Sequence, residues 1–334
     1  MEGSLKKVFI KDIRPEDEVV DFFLVRSKNK ATAKNGKRYL DLELQDSTGV
    51  AAAKMWDGIE RVEKLFERGD IVKIKAVAQS YRNELQIRID DIRPPSPKEN
   101  IPIEDFLPAT EKDVEQMADQ IAGIIESVTE PNLAALLRSF WDDDSFRHDF
   151  VRSPGARNIH HAYLGGLLEH TLNVTMLADH CAKLYPELNR DLLVAMAILH
   201  DIGKIRELEA RGEIIFTREG LLMGHITIGD EMLSEKIAAI EGFPKELALR
   251  CKHILLSHHG ELEFGSPIVP KTPEAIVLHF IDNLDAKIKI FLHAIETDQN
   301  EAEEFTTYNK VMNRNIYKGP RQLADADRED ESDE

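Results

Sequence analysis

The 334-residue chain is 42% hydrophobic, which is ordinary for globular proteins and gives enough length for two domains with separate cores. Its two cysteines, Cys181 and Cys251, stand far apart, and no stretch resembles a signal peptide or a transmembrane segment, which argues against a disulfide-stapled secreted domain and a membrane protein. Because these features suit a reducing compartment, we expect a cytoplasmic protein. The formal net charge of −18 excludes a uniformly basic surface.

Residues 1–95 predict a five-stranded barrel. Apolar and polar side chains alternate over five short segments, and turn residues such as Asn35-Gly36 separate them. Three strands, a helix and two strands in this order are typical of an OB-fold. The predicted strands are Val19–Lys28, Arg38–Gln45, Val50–Trp56, Ile71–Gln79 and Glu84–Ile92, with a helix at Ile59–Arg68.

The rest of the chain predicts a multidomain protein whose second domain is all-α. Five prolines between residues 94 and 108 indicate a linker at 96–110, and 3.6-residue periodicity then indicates a helical domain at 111–318. Residues 319–334 are acidic and predict a disordered tail. The predicted helices are Glu111–Ser127, Asn132–Trp141, Gly165–Tyr185, Asp191–Leu199, Ile226–Ala239, Lys245–His258 and Pro273–Ile295.

Three of these helices carry side chains of the type that binds metals on an apolar face. His170 lies in the same helical stripe as Leu167. The next helix is an apolar run that ends abruptly in His200-Asp201. In the last helix, Asp282 interrupts the sequence IVLHFIDNL, where an unpaired carboxylate would be costly to bury.

Each of these residues could instead be satisfied locally, a histidine by a backbone carbonyl and an aspartate by a nearby lysine. Three separate compensations in adjacent helices of one domain would then be needed. One divalent cation satisfies all of them, and we therefore predict a metal site.

These residues also match a known family. His170, His200-Asp201 and Asp282 follow the H...HD...D order of HD-domain phosphohydrolases, and HDIGK is a common form of the central motif. With a barrel ahead of it and the segment NIHHAYLGGLLEHT, the chain resembles the YhaM family of 3'-to-5' exoribonucleases over most of residues 5–310. The resemblance implies an all-helical HD domain, manganese as the cofactor and single-stranded RNA as the substrate.

Three further histidines suggest a second metal ion. His225, His258 and His259 resemble the added ligands of the binuclear HD-GYP branch, with Asp201 as a bridge, although this chain has no GYP motif. In the alternative interpretation, one of them contacts the substrate phosphate. The sequence therefore leaves one or two ions open.

The predicted chemistry is hydrolysis of a phosphodiester by attack of metal-bound hydroxide. Lys204, which follows Gly203 at the predicted helix end, would act with Asp201 in catalysis by supplying positive charge near the phosphate. A solvated lysine at a helix C-terminus is the alternative. Histidine ligands favour manganese or another transition ion over magnesium.

Substrate contacts are predicted in both domains. Residues 1–97 contain 19 Lys and Arg and 17 Asp and Glu. The remaining residues contain 24 Lys and Arg and 44 Asp and Glu. The excess of acidic residues therefore lies outside the barrel. Its aromatic side chains would stack on bases of single-stranded RNA or DNA, unless they are core residues. In the helical domain, a loop before the first ligand helix would contact phosphate, unless it is an ordinary surface loop. The predicted substrate-binding residues are Tyr39, Trp56, Tyr81, Arg157, His160 and His161.

Two other functions fit the same residues. The chain could hydrolyse small or cyclic nucleotides, with the barrel as a regulatory domain. It could also be a non-catalytic factor that binds single-stranded nucleic acid. The sequence leaves the oligomeric state open.

Overall fold

The computed structural model describes residues 5–33, 35–81, 84–99, 101–157, 161–298, 300 and 303–320. His160 and residues 321–334 of the predicted tail lie outside this set. No helix within the described ranges is both long enough and apolar enough to cross a bilayer.

The N-terminal part is a closed barrel, which confirms the predicted fold class. Its strands pair in the order β1, β2, β3, β5, β4, and β4 closes on β1; only the β3–β5 pair is parallel. Alternation along β2 buries Leu40, Leu42 and Leu44 inside the barrel. The elements are β1 Glu18–Thr32, β2 Arg38–Asp46, β3 Gly49–Met55, α1 Ile59–Val62, β4 Ile71–Tyr81 and β5 Glu84–Arg93.

Strand β1 is longer than predicted because it belongs to both sides of the barrel. Its first half pairs with β4 and its second half with β2, and the register shifts between Val25 and Ser27. Such a bulge lets one strand bend around a small barrel.

The helix predicted at Ile59–Arg68 is wrong in its length, since α1 ends at Val62. The ammonium group of Lys28 donates to the backbone carbonyls of Glu63 and Phe66. These carbonyls would otherwise remain unsatisfied at the helix end, and Lys28 therefore takes the place of a further helical turn.

The C-terminal part is mostly helical and is built around α6, whose apolar residues from Leu192 to Leu199 are all buried. A two-stranded hairpin, which the sequence analysis did not predict, interrupts the helices. The helices are α2 Val114–Glu126, α3 Pro131–Trp141, α4 Asp144–Arg152, α5 Gly166–Leu184, α6 Arg190–Leu199, α7 Lys204–Glu207, α8 Arg218–Ala239, α9 Lys245–Ser257 and α10 Pro273–Glu296, and the hairpin strands are β6 Leu208–Arg211 and β7 Glu213–Phe216.

The predicted linker is packed between the barrel and the helices. Phe106 and Leu107 are buried in a cluster with Phe22 and Leu24 of β1 and with Leu164, which precedes α5. These contacts hold the segment in place, although its prolines and lack of periodicity resemble those of a solvated linker.

Candidate metal centre

Five histidines and two aspartates from separate elements come together at one end of α5 and α6. His170 comes from α5, and His200 and Asp201 follow α6. Asp282 comes from α10. His225 of α8 and the pair His258-His259, which follows α9, complete the cluster.

The first half of the cluster contains the four residues of the H...HD...D pattern. His170 Nε2 lies 3.2 Å from His200 Nε2, 3.2 Å from Asp282 Oδ1 and 3.5 Å from Asp201 Oδ2. His200 Nε2 lies 3.3 Å from the same oxygen of Asp201. The ligand atoms of His170, His200 and Asp201 are close enough to share one cation, and Asp282 adjoins this group through its contact with His170.

The second half contains the three further histidines. His225 Nε2 and His259 Nε2 are 3.3 Å apart, and these two residues and His258 can offer nitrogens to one ion. His225 Nε2 and His258 Nε2 lie 3.5 and 3.6 Å from Asp201 Oδ1. Oδ2 of Asp201 thus faces the first half of the cluster, and Oδ1 faces the second half.

In all five histidines Nδ1 contacts a fixed oxygen atom. Backbone carbonyls stand opposite Nδ1 of three histidines, and a carboxylate stands opposite Nδ1 of each of the other two. Each ring therefore donates through Nδ1 and presents the lone pair of Nε2 to the centre, as a metal ligand requires. The Nδ1 partners are Asp285 for His170, Ala197 for His200, Glu207 for His225, Leu255 for His258 and Phe264 for His259.

Positive groups within the cluster offset the charge of its carboxylates. Burial opposes ionisation of Asp201, but Lys204 and His200 outweigh it and hold its pKa well below the usual range. Burial likewise opposes protonation of His170, while contacts with Asp282 and Asp285 raise its pKa to about 9. A proton on His170 thus partly neutralises the carboxylates, in the place where a cation would do so.

The donor set fits a divalent metal. Within the described part of the chain, Asp201 Oδ1 and His258 Nε2 are buried atoms without a hydrogen-bond partner. Buried polar atoms are rarely left in this state unless an ion or a water satisfies them. Imidazole and carboxylate together are ligands of transition ions.

Lys204 lies beside the centre. Its ammonium group is 2.6 Å from Asp201 Oδ2, and its side chain is only 13% exposed. The alternative of a solvated lysine at a helix end is therefore wrong. The preceding Gly203, at the predicted helix end, does not adopt a left-handed conformation, because its φ is −62°. It is needed for close packing, since a Cβ there would lie 2.0 Å from the carbonyl oxygen of His225.

The predicted phosphate-binding loop is only partly at the surface. His161 is 1% exposed and lies 2.8 Å from Asp285, so its predicted substrate contact must be corrected: the ring is enclosed by protein. Arg157 is exposed, and its guanidinium group packs over the ring of Phe216. Arg157 also lines a cavity of about 840 Å³ between the barrel and the helices, together with Arg26 and Arg68.

The three predicted aromatic contacts lie near one another on the outside of the barrel. Tyr39 and Trp56 are half-buried and stack at 4.4 Å between ring centroids. Tyr81 is 51% exposed, and the ammonium group of Lys54 lies over both tyrosine rings. Tyr39 and Trp56 also line a cavity of about 770 Å³ with Arg38. None of the three belongs to the barrel core.

Glu207 is a residue that sequence reasoning missed. Its carboxylate accepts from the backbone N–H of His225 at 2.9 Å and contacts the ring of the same residue. Helix α8 has a break at Gly224, with φ of 73°, directly before this histidine. A lone Glu in α7 carries no sequence signal for this role, because its partner is 18 residues away.

The sequence matches two domain families and several whole proteins. The HD domain family matches residues 167–287, and the OB-fold nucleic acid binding domain family matches residues 24–95. The protein named 3'-5' exoribonuclease YhaM from Bacillus subtilis is 37% identical over 303 residues, which cover 90% of this chain and 95% of that protein. Proteins of the same name from Bacillus licheniformis and Oceanobacillus iheyensis are 38% and 35% identical, and each covers 90% of this chain and at least 94% of its own length.

Proposed function

The chain belongs to the YhaM family of 3'-5' exoribonucleases, and we propose that it degrades single-stranded RNA from the 3' end by hydrolysis at the histidine and aspartate cluster. The observation that supports this site best is the position of Asp201. Its two carboxylate oxygens face two different groups of imidazole Nε2 atoms. Each ring turns Nε2 toward the centre because its Nδ1 contacts a fixed oxygen. Asp201 would therefore be a ligand shared by both metal ions of a two-metal site.

The residues of the cluster have different proposed roles in hydrolysis. We propose His170, His200, Asp201 and Asp282 as ligands of one ion, and His225, His258, His259 and Asp201 as ligands of a second. A bound divalent cation polarises a phosphoryl oxygen and makes a water molecule more acidic. Lys204 uses one of its three N–H groups on Asp201, and we assign the others to the phosphate, where negative charge grows during hydrolysis.

Manganese is the proposed metal. The site offers five imidazole groups beside its carboxylates, whereas magnesium prefers oxygen ligands and retains its waters. Among the transition ions, manganese is the one that the resemblance to the YhaM family implies.

We propose that the strand reaches the centre along the barrel. Bases stack on the surface formed by Tyr39, Trp56 and Tyr81, and the phosphates then meet Arg26 and Arg157 at the cavity between barrel and helices. Stacking and phosphate contacts do not read the 2'-hydroxyl, so single-stranded DNA should also bind.

The location we propose is the cytoplasm. Neither Cys181 nor Cys251 forms a disulfide bond, and Cys251 is buried in the helical core. This state suits a reducing compartment.

The decisive experiment is product sizing with controlled metal. With 5'-labelled single-stranded RNA and manganese, we expect a ladder that shortens from the 3' end, and no degradation after chelation until the metal is restored. Matched DNA, nucleoside triphosphates and cyclic dinucleotides are assayed in parallel. Faster turnover of the small nucleotides than of RNA would favour the alternative in which the barrel is regulatory.

The aromatic surface on the barrel has its own test. Trp56→Ala should raise KM for single-stranded RNA by about 5- to 150-fold with little change in kcat, because stacking contributes about 1–3 kcal/mol per base. Tyr185→Ala, which removes an exposed tyrosine from the helical part, is the control and should leave KM unchanged. Tyr81→Ala serves as a second variant should Trp56→Ala weaken the barrel. Unchanged KM in both variants would show that the strand does not bind to this surface.

A further inference from the structure

Asp285 holds three side chains at once. Its carboxylate is almost fully buried and lies 2.7 Å from Nδ1 of His170 and 2.8 Å from Nε2 of His161. It also accepts from the amide of Asn173 at 2.9 Å. The position of this carboxylate therefore sets the orientation of His170, a proposed metal ligand.

His161 is held in an unusual conformation. Its φ is 52°, in the left-handed region that residues with side chains rarely adopt. Gly155 and Gly166 pack against it so tightly that a Cβ on Gly166 would lie 2.2 Å from the His161 carbonyl oxygen. That oxygen also accepts from the N–H of Gly155. Strained residues persist only where the surrounding structure fixes them, and they often lie at functional sites.

Tyr163 extends these contacts away from the metal centre. Its hydroxyl oxygen lies 3.0 Å from Nδ1 of His161, and the hydroxyl donates to Glu169 at 3.0 Å. Glu169 is buried, and its carboxylate accepts a hydrogen bond of 2.6 Å from the ammonium group of Lys289. Burial opposes its ionisation, but Lys289 and Thr110 outweigh it and lower the pKa to about 2.

The contacts of Glu169 end in the segment that follows the barrel. The hydroxyl of Thr110 donates to Glu169 at 2.7 Å, and the ammonium group of Lys112 lies 3.2 Å from it. Thr110 stands four residues after Phe106, which is buried in the cluster shared with β1. The contacts therefore run without a gap from Thr110 to His170, the proposed metal ligand.

We propose that Glu169, Tyr163, His161 and Asp285 form a positioning chain that orients His170 and makes metal affinity depend on the segment after the barrel. This proposal rests on the proposed function, because His170 must be a metal ligand. We assign all four residues to positioning of His170. Any change that moves Thr110 would alter the centre through this chain.

The test removes one hydroxyl group. Tyr163→Phe should weaken binding of manganese about 3- to 10-fold in a calorimetric titration, which is less than the 10- to 100-fold typical for loss of a direct partner of a metal ligand, because Tyr163 acts on His170 through His161 and Asp285. The visible spectrum of the cobalt-substituted protein should also change, because the orientation of His170 changes. Tyr308→Phe is the matched control, since its hydroxyl contacts only Asn313 among the described residues, far along the chain from this network.

A second variant tests the far end of the chain. Thr110→Val should weaken metal binding in the same direction, and its effect should not add to that of Tyr163→Phe, because both interrupt one set of contacts. Metal affinity within twofold of the wild type in both variants, at unchanged melting temperature, would overturn the proposal. A wild type that binds no manganese would instead overturn the proposed function, so the two failures are distinguishable.

Discussion

Asp201→Asn is expected to abolish RNA hydrolysis, with a loss of about 10³-fold or more in kcat, because one neutral amide would replace the carboxylate that faces both halves of the cluster. Bound manganese should fall for both ions together. Elemental analysis of the purified protein and single-turnover assays at saturating manganese measure the two effects.

The same variant should also lower stability. The ammonium group of Lys204 would lose its ion-pair partner in a largely buried position, and removal of one partner of such a pair typically costs about 3–5 kcal/mol. Thermal unfolding and circular dichroism show whether the variant remains folded. Asp179→Asn, which alters an ion pair with Arg190 outside the cluster, is the control and should retain metal and activity. Turnover like that of the wild type in Asp201→Asn would disprove the metal assignment.

His258→Ala should reduce bound metal from two ions per chain to one and lower activity about 100-fold, because the second group of ligands loses a fully buried imidazole. The first ion should remain, since His170 and His200 contact Asp201 through its other oxygen. The measurement is metal content by elemental analysis, combined with turnover of labelled RNA.

Two further variants make this result interpretable. His180→Ala removes an exposed histidine of α5 and should leave both ions bound. His225→Ala removes a less buried ligand of the same group and should repeat the effect of His258→Ala with less risk to folding. If the wild type binds one ion only, the binuclear proposal is wrong, and these histidines are left as substrate contacts or structural residues.

Local patterns in the sequence were sufficient for the fold class of both parts of the chain. A strand of the barrel is buried on one face, so its apolar residues alternate, as Leu40, Leu42 and Leu44 do. Two of the proposed ligands could be predicted because they interrupt such an apolar pattern. His170 and Asp282 stand among apolar residues of their helices, and a polar side chain in a buried stripe is costly unless something satisfies it.

Only the tertiary structure decided what each polar side chain contacts. Nothing in the sequence around Lys28 indicates a distant partner, yet its ammonium group donates to the carbonyls at the end of α1. His161 resembled a loop residue near phosphate, yet it is buried against Asp285, which lies 124 positions away. Periodicity in the sequence indicates whether a position is buried, because burial repeats with the geometry of the helix or strand that contains the position. It does not indicate which distant residue a buried side chain contacts, since that depends on how the elements pack.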